Sequence, residues 1–111
     1  MSNQLLKSLL NEMEGELGET DFVYTRYEDP GHSWIKVPLW VLKSLGIENK
    51  ISEYSYRDRP GSFFLEEDVD GSLFYTTFVK KYDENPSIRT IHIEDFDEFI
   101  IKHKLKQNEK F

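Results

Sequence analysis

The chain has 111 residues, 38 % of them hydrophobic and 32 % charged, and a formal net charge of −7. This length and composition fit one globular domain and exclude a disordered chain. There is no cysteine, which excludes disulfides, thiolate metal sites and thiol nucleophiles and favours a reducing compartment. Residues 1–18 lack the pattern of a signal peptide, and no apolar run approaches the ~20 residues that span a bilayer.

The first half of the chain predicts a helix, a hairpin and a second, short helix. Apolar residues three to four positions apart indicate an amphipathic helix over residues 3–17. Alternation over residues 20–28 and 32–37 predicts two strands, joined by the turn Asp29-Pro30-Gly31. Residues 39–45 are apolar nearly all round and predict a short buried helix, with Pro38 at its first position and Gly46 as its left-handed stop.

Two further strands are predicted over residues 50–57 and 62–66, joined across Arg59-Pro60-Gly61. The next segment carries two conflicting signals. Asp70-Gly71 between apolar runs is typical of a hairpin, whereas a spacing of four favours a helix. We predict the helix, with Asp68 or Asp70 as its N-cap and two lysines near its C-terminus. The residues spaced by four are Phe74, Phe78 and Tyr82, and the two lysines are Lys80 and Lys81.

The last elements predicted are a strand over residues 87–93 and a helix over residues 95–107, which Asp95 and Glu98 begin as a capping-box-like pair. The resulting order is α-β-β-α-β-β-α-β-α. It predicts an α+β fold: a mainly antiparallel sheet of about five strands, covered by three to four helices. We expect one domain over residues 1–111, with residues 102–111 as its lysine-rich tail.

Alternation along the predicted strands sorts their side chains onto two faces. In the second strand, Ile35 and Val37 form the better core face, which leaves Trp34 on the opposite one. In the third strand, Tyr54 and Tyr56 share a face. A tryptophan held away from the core must be covered either by another part of the chain or by a partner.

The sharpest cluster of charge lies at residues 66–70. Its spacing begins like a calcium loop, but Leu73 stands where that loop requires glycine and Val79 where it requires glutamate. Phosphate-binding loops and the zinc motif HExxH are absent from the sequence. We therefore expect no metal or cofactor and assign no catalytic residue. The candidate binding residues are His32, Trp34, Lys36, Tyr54, Tyr56, Glu66, Glu67, Asp68 and Asp70.

Three stretches of the chain resemble a group of small bacteriophage and mobile-element proteins. They cover about half the chain and follow the pattern DPGHxWxxV, then ISxYSY, then LEEDxD. The resemblance implies a cytoplasmic accessory protein of a phage or plasmid, and it implies no particular chemistry. The stretches are Tyr27-Glu28-Asp29-Pro30-Gly31-His32-Ser33-Trp34-Ile35-Lys36-Val37, Ile51-Ser52-Glu53-Tyr54-Ser55-Tyr56, and Phe64-Leu65-Glu66-Glu67-Asp68-Val69-Asp70 with Phe74 following.

These observations favour a small, acidic, non-catalytic protein that binds a macromolecule of the host or the phage. Inhibition of a host defence system is one function open to such a protein. The alternative is a small-ligand binder or hydrolase that uses His32 with the carboxylates at residues 66–70. A third hypothesis is a self-associating accessory protein. A deep pocket holding His32 and several carboxylates would favour the alternative, and a flat aromatic and acidic face would favour the first hypothesis.

Charge also predicts that the chain does not bind duplex DNA non-specifically. Residues 1–101 carry 10 basic and 20 acidic side chains, a charge of −10 that repels phosphates. Only residues 102–111, with four lysines and one glutamate, oppose it. A gel shift at low salt, where phosphate contacts are strongest, should show no retarded band. Micromolar binding there would contradict the prediction.

Overall fold

A computed structural model describes residues 20–58 and 61–108 of the chain. The helix predicted over residues 3–17 lies outside this part, as do Arg59 and Pro60 of one predicted turn. The described residues form an α+β fold with a six-stranded mixed sheet and three α-helices. The elements are β1 (Val23–Glu28), β2 (Ser33–Pro38), α1 (Leu39–Leu45), β3 (Tyr56–Asp58), β4 (Ser62–Glu66), α2 (Ser72–Tyr82), β5 (Ser87–His92), α3 (Phe96–His103) and β6 (Lys106–Gln107).

The strand order is β5-β1-β2-β4-β3-β6. Every neighbouring pair is antiparallel except β1 and β5, which run parallel. The expectation of a mainly antiparallel sheet of five strands is therefore right only in outline. Two reciprocal side-chain contacts link the parallel pair. Arg26 donates to Thr90 Oγ1 from Nε (3.2 Å) and Nη2 (3.0 Å), and Arg89 Nε donates to Thr25 Oγ1 (2.9 Å).

One face of the sheet carries the larger core. Helices α1 and α2 cover this face, and Tyr24 lies between the sheet and α2, with ring centroids 5.1 Å from Phe74 and 6.1 Å from Phe78. Ile35 and Val37 point into the same core, as their alternation predicts. Phe74 and Phe78 are fully buried, which confirms the helix that their spacing of four predicted.

The opposite face carries a second, aromatic core under α3. Trp34 stacks on Phe96 with ring centroids 3.5 Å apart and an interplanar angle of 7°. Phe64 and Leu105 complete the buried part of this cluster, and Tyr56 packs against its edge. Trp34 is only 9 % exposed. Trp34 is therefore covered by α3, a helix of the same chain, and not by a partner.

The β1–β2 turn also holds α3 in place. Asp29 Oδ1 accepts from the backbone N–H groups of Gly31 (3.0 Å) and His32 (2.8 Å), and its Oδ2 accepts from that of Phe96 (3.1 Å). Burial raises the pKa of Asp29, but these three N–H groups and the nearby His32 lower it by more. The net pKa of this carboxyl is below its ordinary value, so its charged form is the one that joins the turn to the helix.

Several predicted elements have different bounds in the structure. The predicted strand 50–57 is reduced to β3 at residues 56–58, preceded by a 3₁₀ turn at Glu48–Lys50 and an irregular loop. In that loop, Ser52 donates its backbone N–H and its hydroxyl to Asp70 instead of joining a strand ladder. Tyr54 consequently does not share a strand face with Tyr56.

Helix α3 is shorter than predicted. It ends at His103 because Lys104 adopts a left-handed conformation (φ 55°), and the chain then returns to the sheet as β6. Leu105 is buried in the aromatic core, which fixes this return. The N-cap is Asp95 as predicted, but its side chain accepts from the N–H of Asp97, and no reciprocal bond from Glu98 is formed.

The caps of the other two helices also differ in detail. Pro38 is the N-cap of α1 and not its first helical residue, while Gly46 takes the predicted left-handed conformation (φ 74°). A π-helical turn, Glu67–Gly71, directly precedes α2. Glu66 caps this turn by accepting from the N–H of Val69 at 3.1 Å. The prediction of Asp68 or Asp70 as the cap was wrong.

The stacked position of Trp34 generates a prediction about stability. Trp34→Ala removes the ring that packs on Phe96 and opens a cavity in the aromatic core, so we expect a loss of ~3–5 kcal/mol in the free energy of unfolding. The chain's other tryptophan is the matched control. Trp40 is 49 % exposed, and Trp40→Ala should cost much less. Urea denaturation of both variants checks this, and equal losses would contradict the assignment of Trp34 to a core.

Candidate functional site

The structure separates the predicted binding residues into a buried group and an exposed group. Trp34, Lys36 and Tyr56 all lie on the face of the sheet that α3 covers. Lys36 is half-buried, with its Nζ 5.6 Å from the centroid of the Phe64 ring. These three side chains pack in or beside the aromatic core. The exposed residues are His32 in the β1–β2 turn, Tyr54 in the loop before β3, and Glu67 and Asp68 in the turn after β4.

Asp70 joins the loop before β3 to the turn after β4. It is fully buried, and its carboxylate accepts from Ser52 N (3.0 Å), from Ser52 Oγ (2.7 Å) and from Ser55 Oγ. Ser55 Oγ in turn accepts from the N–H of Glu66 at 2.9 Å. The carboxylate thus fastens the loop at residues 51–55 to the turn Glu67–Gly71 by a continuous buried network.

Strand β6 and the residue that follows it hold the other side of the same loop. Asn108 Nδ2 donates to the carbonyls of Ile51 and Ser52 at 3.0 Å each, and its backbone N–H donates to Ser55 O at 2.8 Å. Gln107 Nε2 donates to Glu53 O at 2.8 Å. A loop without regular secondary structure is therefore fixed from both sides.

The two fastened segments display what we call the acidic face, and every side chain in it is exposed. Tyr54 is 61 % exposed and Val69 is 51 % exposed, values well above those of ordinary core residues. Both side chains lie on the segments that Asp70 joins, and these segments also carry three exposed carboxylates. The acidic face consists of Glu53, Tyr54, Glu67, Asp68 and Val69.

His32 directly precedes β2, the strand in which Trp34 pairs with Glu66 of β4. It is exposed in the β1–β2 turn, with its ring 5.7 Å from Trp34 and its backbone N–H on Asp29. In the described part of the chain, no hydrogen bond or ion pair joins its imidazole to the carboxylates at residues 66–70. The two regions are joined by this ladder pairing and by the bond from Ser33 N to Glu67 Oε1, at 2.7 Å.

A cavity that the sequence did not reveal lies on the α2 side of the sheet. Its volume is about 320 Å³. Its lining comes from three strands, from α2 and from the turn before α2, so no local sequence pattern could predict it. The residues around it include Arg26, Ser33, Ile35, Glu67, Tyr75 and Ile88.

No group of three histidine, aspartate or glutamate side chains within residues 20–58 and 61–108 is placed to hold a metal ion. None of the described helices is long and apolar enough to cross a membrane. No family model, curated protein or solved structure matches this chain. The assignment of a function therefore depends on the geometry of the acidic face and of the cavity.

The buried network around Asp70 generates a second stability prediction. Asp70→Ala leaves Ser52 N and Ser55 Oγ without their acceptor, and an unpaired buried polar group costs ~1–3 kcal/mol. We expect a loss of about 3 kcal/mol in the free energy of unfolding. The neighbouring carboxylate gives the control: Asp68 is exposed, and Asp68→Ala should change stability by less than ~0.5 kcal/mol. Denaturant titration distinguishes them, and a neutral Asp70→Ala would refute the fastening role.

Proposed function

We propose that this chain is a small, non-catalytic binding protein that engages another protein through the acidic face. The observation that carries the proposal is the fastening of the loop at residues 51–55 to the turn Glu67–Gly71 by the buried Asp70. Fixed segments lose little conformational freedom on binding, so the exposed side chains on them are suited to contact a partner.

The chemistry of the face indicates what kind of partner it fits. Tyrosine is among the residues enriched in interfaces, because it buries a large rigid surface and keeps a polar tip. Tyr54 is the exposed tyrosine of this face, and Val69 adds apolar surface. Glu53, Glu67 and Asp68 add exposed negative charge on the same two segments. A protein with a basic surface around an apolar pocket complements this arrangement.

The resemblance to phage and mobile-element proteins suggests where that partner is found. Under this proposal the chain acts in the bacterial cytoplasm as an accessory protein, and its partner is a host or phage macromolecule. Inhibition of a host defence system is one consequence that such binding would have. An acidic face that competes for a basic surface is a physical means to that end.

The alternative function, hydrolysis or small-ligand binding by His32 with the carboxylates at residues 66–70, has less support. General acid–base work needs the groups within hydrogen-bond reach of one reacting centre. His32 contacts Trp34 and Asp29, and Asp70 is fully buried with three donors from serines around it. Within the described residues, no hydrogen bond or ion pair brings the imidazole to one of these carboxylates, although the segments that carry them are neighbours in the sheet.

The proposal is tested by capture of partners from the bacterial lysate, followed by affinity measurements with the purified partner. Tyr54→Ala should weaken binding by about 2 kcal/mol, roughly 30-fold, as the loss of an interface anchor does. Asp68→Asn should weaken binding less and reduce its dependence on salt, because it removes a charge that steers association. Neither variant should change the melting temperature much, since both residues are exposed.

Ile101 provides the matched control for the apolar contact. It lies on α3 and is 76 % exposed. Ile101→Ala removes an exposed apolar side chain of another surface, so it should leave the affinity unchanged. The proposal fails if Ile101→Ala weakens binding as much as Tyr54→Ala does, or if binding is indifferent to both Tyr54→Ala and salt.

A further inference from the structure

The cavity beside α2 has a lining suited to a small ligand. Its apolar part comes from Ile35 and Ile88 on the sheet and from the ring of Tyr75, which is 39 % exposed. Hydroxyl groups of Ser33, Ser72 and Thr76 add polar points around it. An apolar surface with a few placed polar groups is typical of ligand sites, and about 320 Å³ is at the small end of their range.

Two opposite charges line this cavity without neutralising each other. Arg26 directs Nε and Nη2 to Thr90 Oγ1, so its guanidinium is held toward β5 while Nη1 has no acceptor among the described residues. Glu67 uses Oε1 to accept from Ser33 N, on β2, and its Oε2 has no donor in the same part of the chain. No ion pair within that part joins Arg26 to Glu67.

The sheet fixes the separation of these two charges. The guanidinium is anchored on β5 and the carboxylate on β2, and β1 lies between these strands. Two strand spacings are about 10 Å, and Ser33 lies two positions along its strand from Ile35, the residue that pairs with Arg26. This offset adds about 7 Å along the strand, so the two anchor points are about 12 Å apart. An extended dipeptide spans about 7 Å, and hydrogen bonds at its two ends add about 3 Å each. A dipeptide with free termini therefore reaches both groups, with its carboxylate on Arg26 and its ammonium on Glu67.

We propose that this cavity binds a small zwitterion of about the size of a dipeptide. Arg26 receives the carboxylate, since a guanidinium presents paired donors to it. Glu67 accepts from the ammonium, and the apolar side chains lie against Ile35, Ile88 and Tyr75. This site is separate in function from the acidic face, although Glu67 belongs to the lining of both.

An NMR titration of the full chain with unblocked apolar dipeptides tests the proposal. The amide signals of Thr76 and Ile88 should shift and saturate at micromolar to millimolar concentration, because both charged groups are exposed. The same dipeptides with an acetylated N-terminus or an amidated C-terminus should bind at least about tenfold more weakly, since each lacks one charged contact. This comparison uses the unaltered chain and so does not depend on the folding of any variant.

Three variants localise the site. Arg26→Gln should abolish the saturable shifts, and Glu67→Gln should reduce the preference for a free ammonium. Arg89→Gln is the matched control, because Arg89 makes the equivalent bond to a threonine on the opposite face of the sheet. The proposal is overturned if no unblocked dipeptide produces saturable shifts, if blocked and unblocked forms bind equally, or if Arg89→Gln weakens binding as much as Arg26→Gln. None of these results affects the proposed role of Tyr54, which lies outside the cavity lining.

Discussion

The contact between Trp34 and Phe96 is the constraint on which the arrangement of the described residues depends. Strand β2 sends Ile35 and Val37 into the larger core and Trp34 into the aromatic core, so the sheet needs cover on both faces. The stack on Phe96 supplies that cover by placing α3 against the second face. Asp29 adds a second hold on the same residue, because it accepts from Phe96 N while it closes the β1–β2 turn. Helix α3 is thereby positioned by the stack of Phe96 on Trp34 and by the hydrogen bond from Phe96 N to Asp29.

This double burial explains why the aromatic residues gave an ambiguous signal. Tyrosine and tryptophan that alternate with a core-facing set look the same in sequence whether a helix or a partner covers them. Trp34 and Tyr56 are covered by α3, whereas Tyr54 projects from a loop and is the exposed member of the set. Tyr54 differs from Tyr56 because the strand does not extend back beyond Tyr56. Regular strand geometry begins only at Tyr56 because Ser52 and Ser55 donate hydrogen bonds to Asp70, which lies 15 to 18 residues further along the chain.

Local signals predicted the elements whose turn residues, stops and hydrophobic spacing lie within the element itself. The β1–β2 hairpin, α1 with its stop at Gly46 and the helix carrying Phe74 and Phe78 are all present. What the sequence did not reveal depends on residues far apart in the chain. The parallel pairing of β5 with β1 joins positions about 64 residues apart, through the Arg26–Thr90 and Arg89–Thr25 bonds. Likewise, the burial of Asp70 depends on the loop at residues 51–55. The cavity beside α2 forms only where β1, β2 and β5 meet α2 and the turn before it.

The turn Glu67–Gly71 is where these non-local contacts meet, and its geometry explains how one short segment serves two surfaces. Its π-helical form places successive acidic side chains in different surroundings: Glu67 reaches Ser33 at the cavity, Asp68 points to solvent and Asp70 is buried. Gly71 passes close to the carbonyl of Glu66, where an added Cβ would lie 3.3 Å away, so this packing tolerates little bulk. A cluster that reads in sequence as one patch of charge is thus divided by the fold. One carboxylate is structural, and its neighbours are left available for binding because the structural one holds the backbone that carries them.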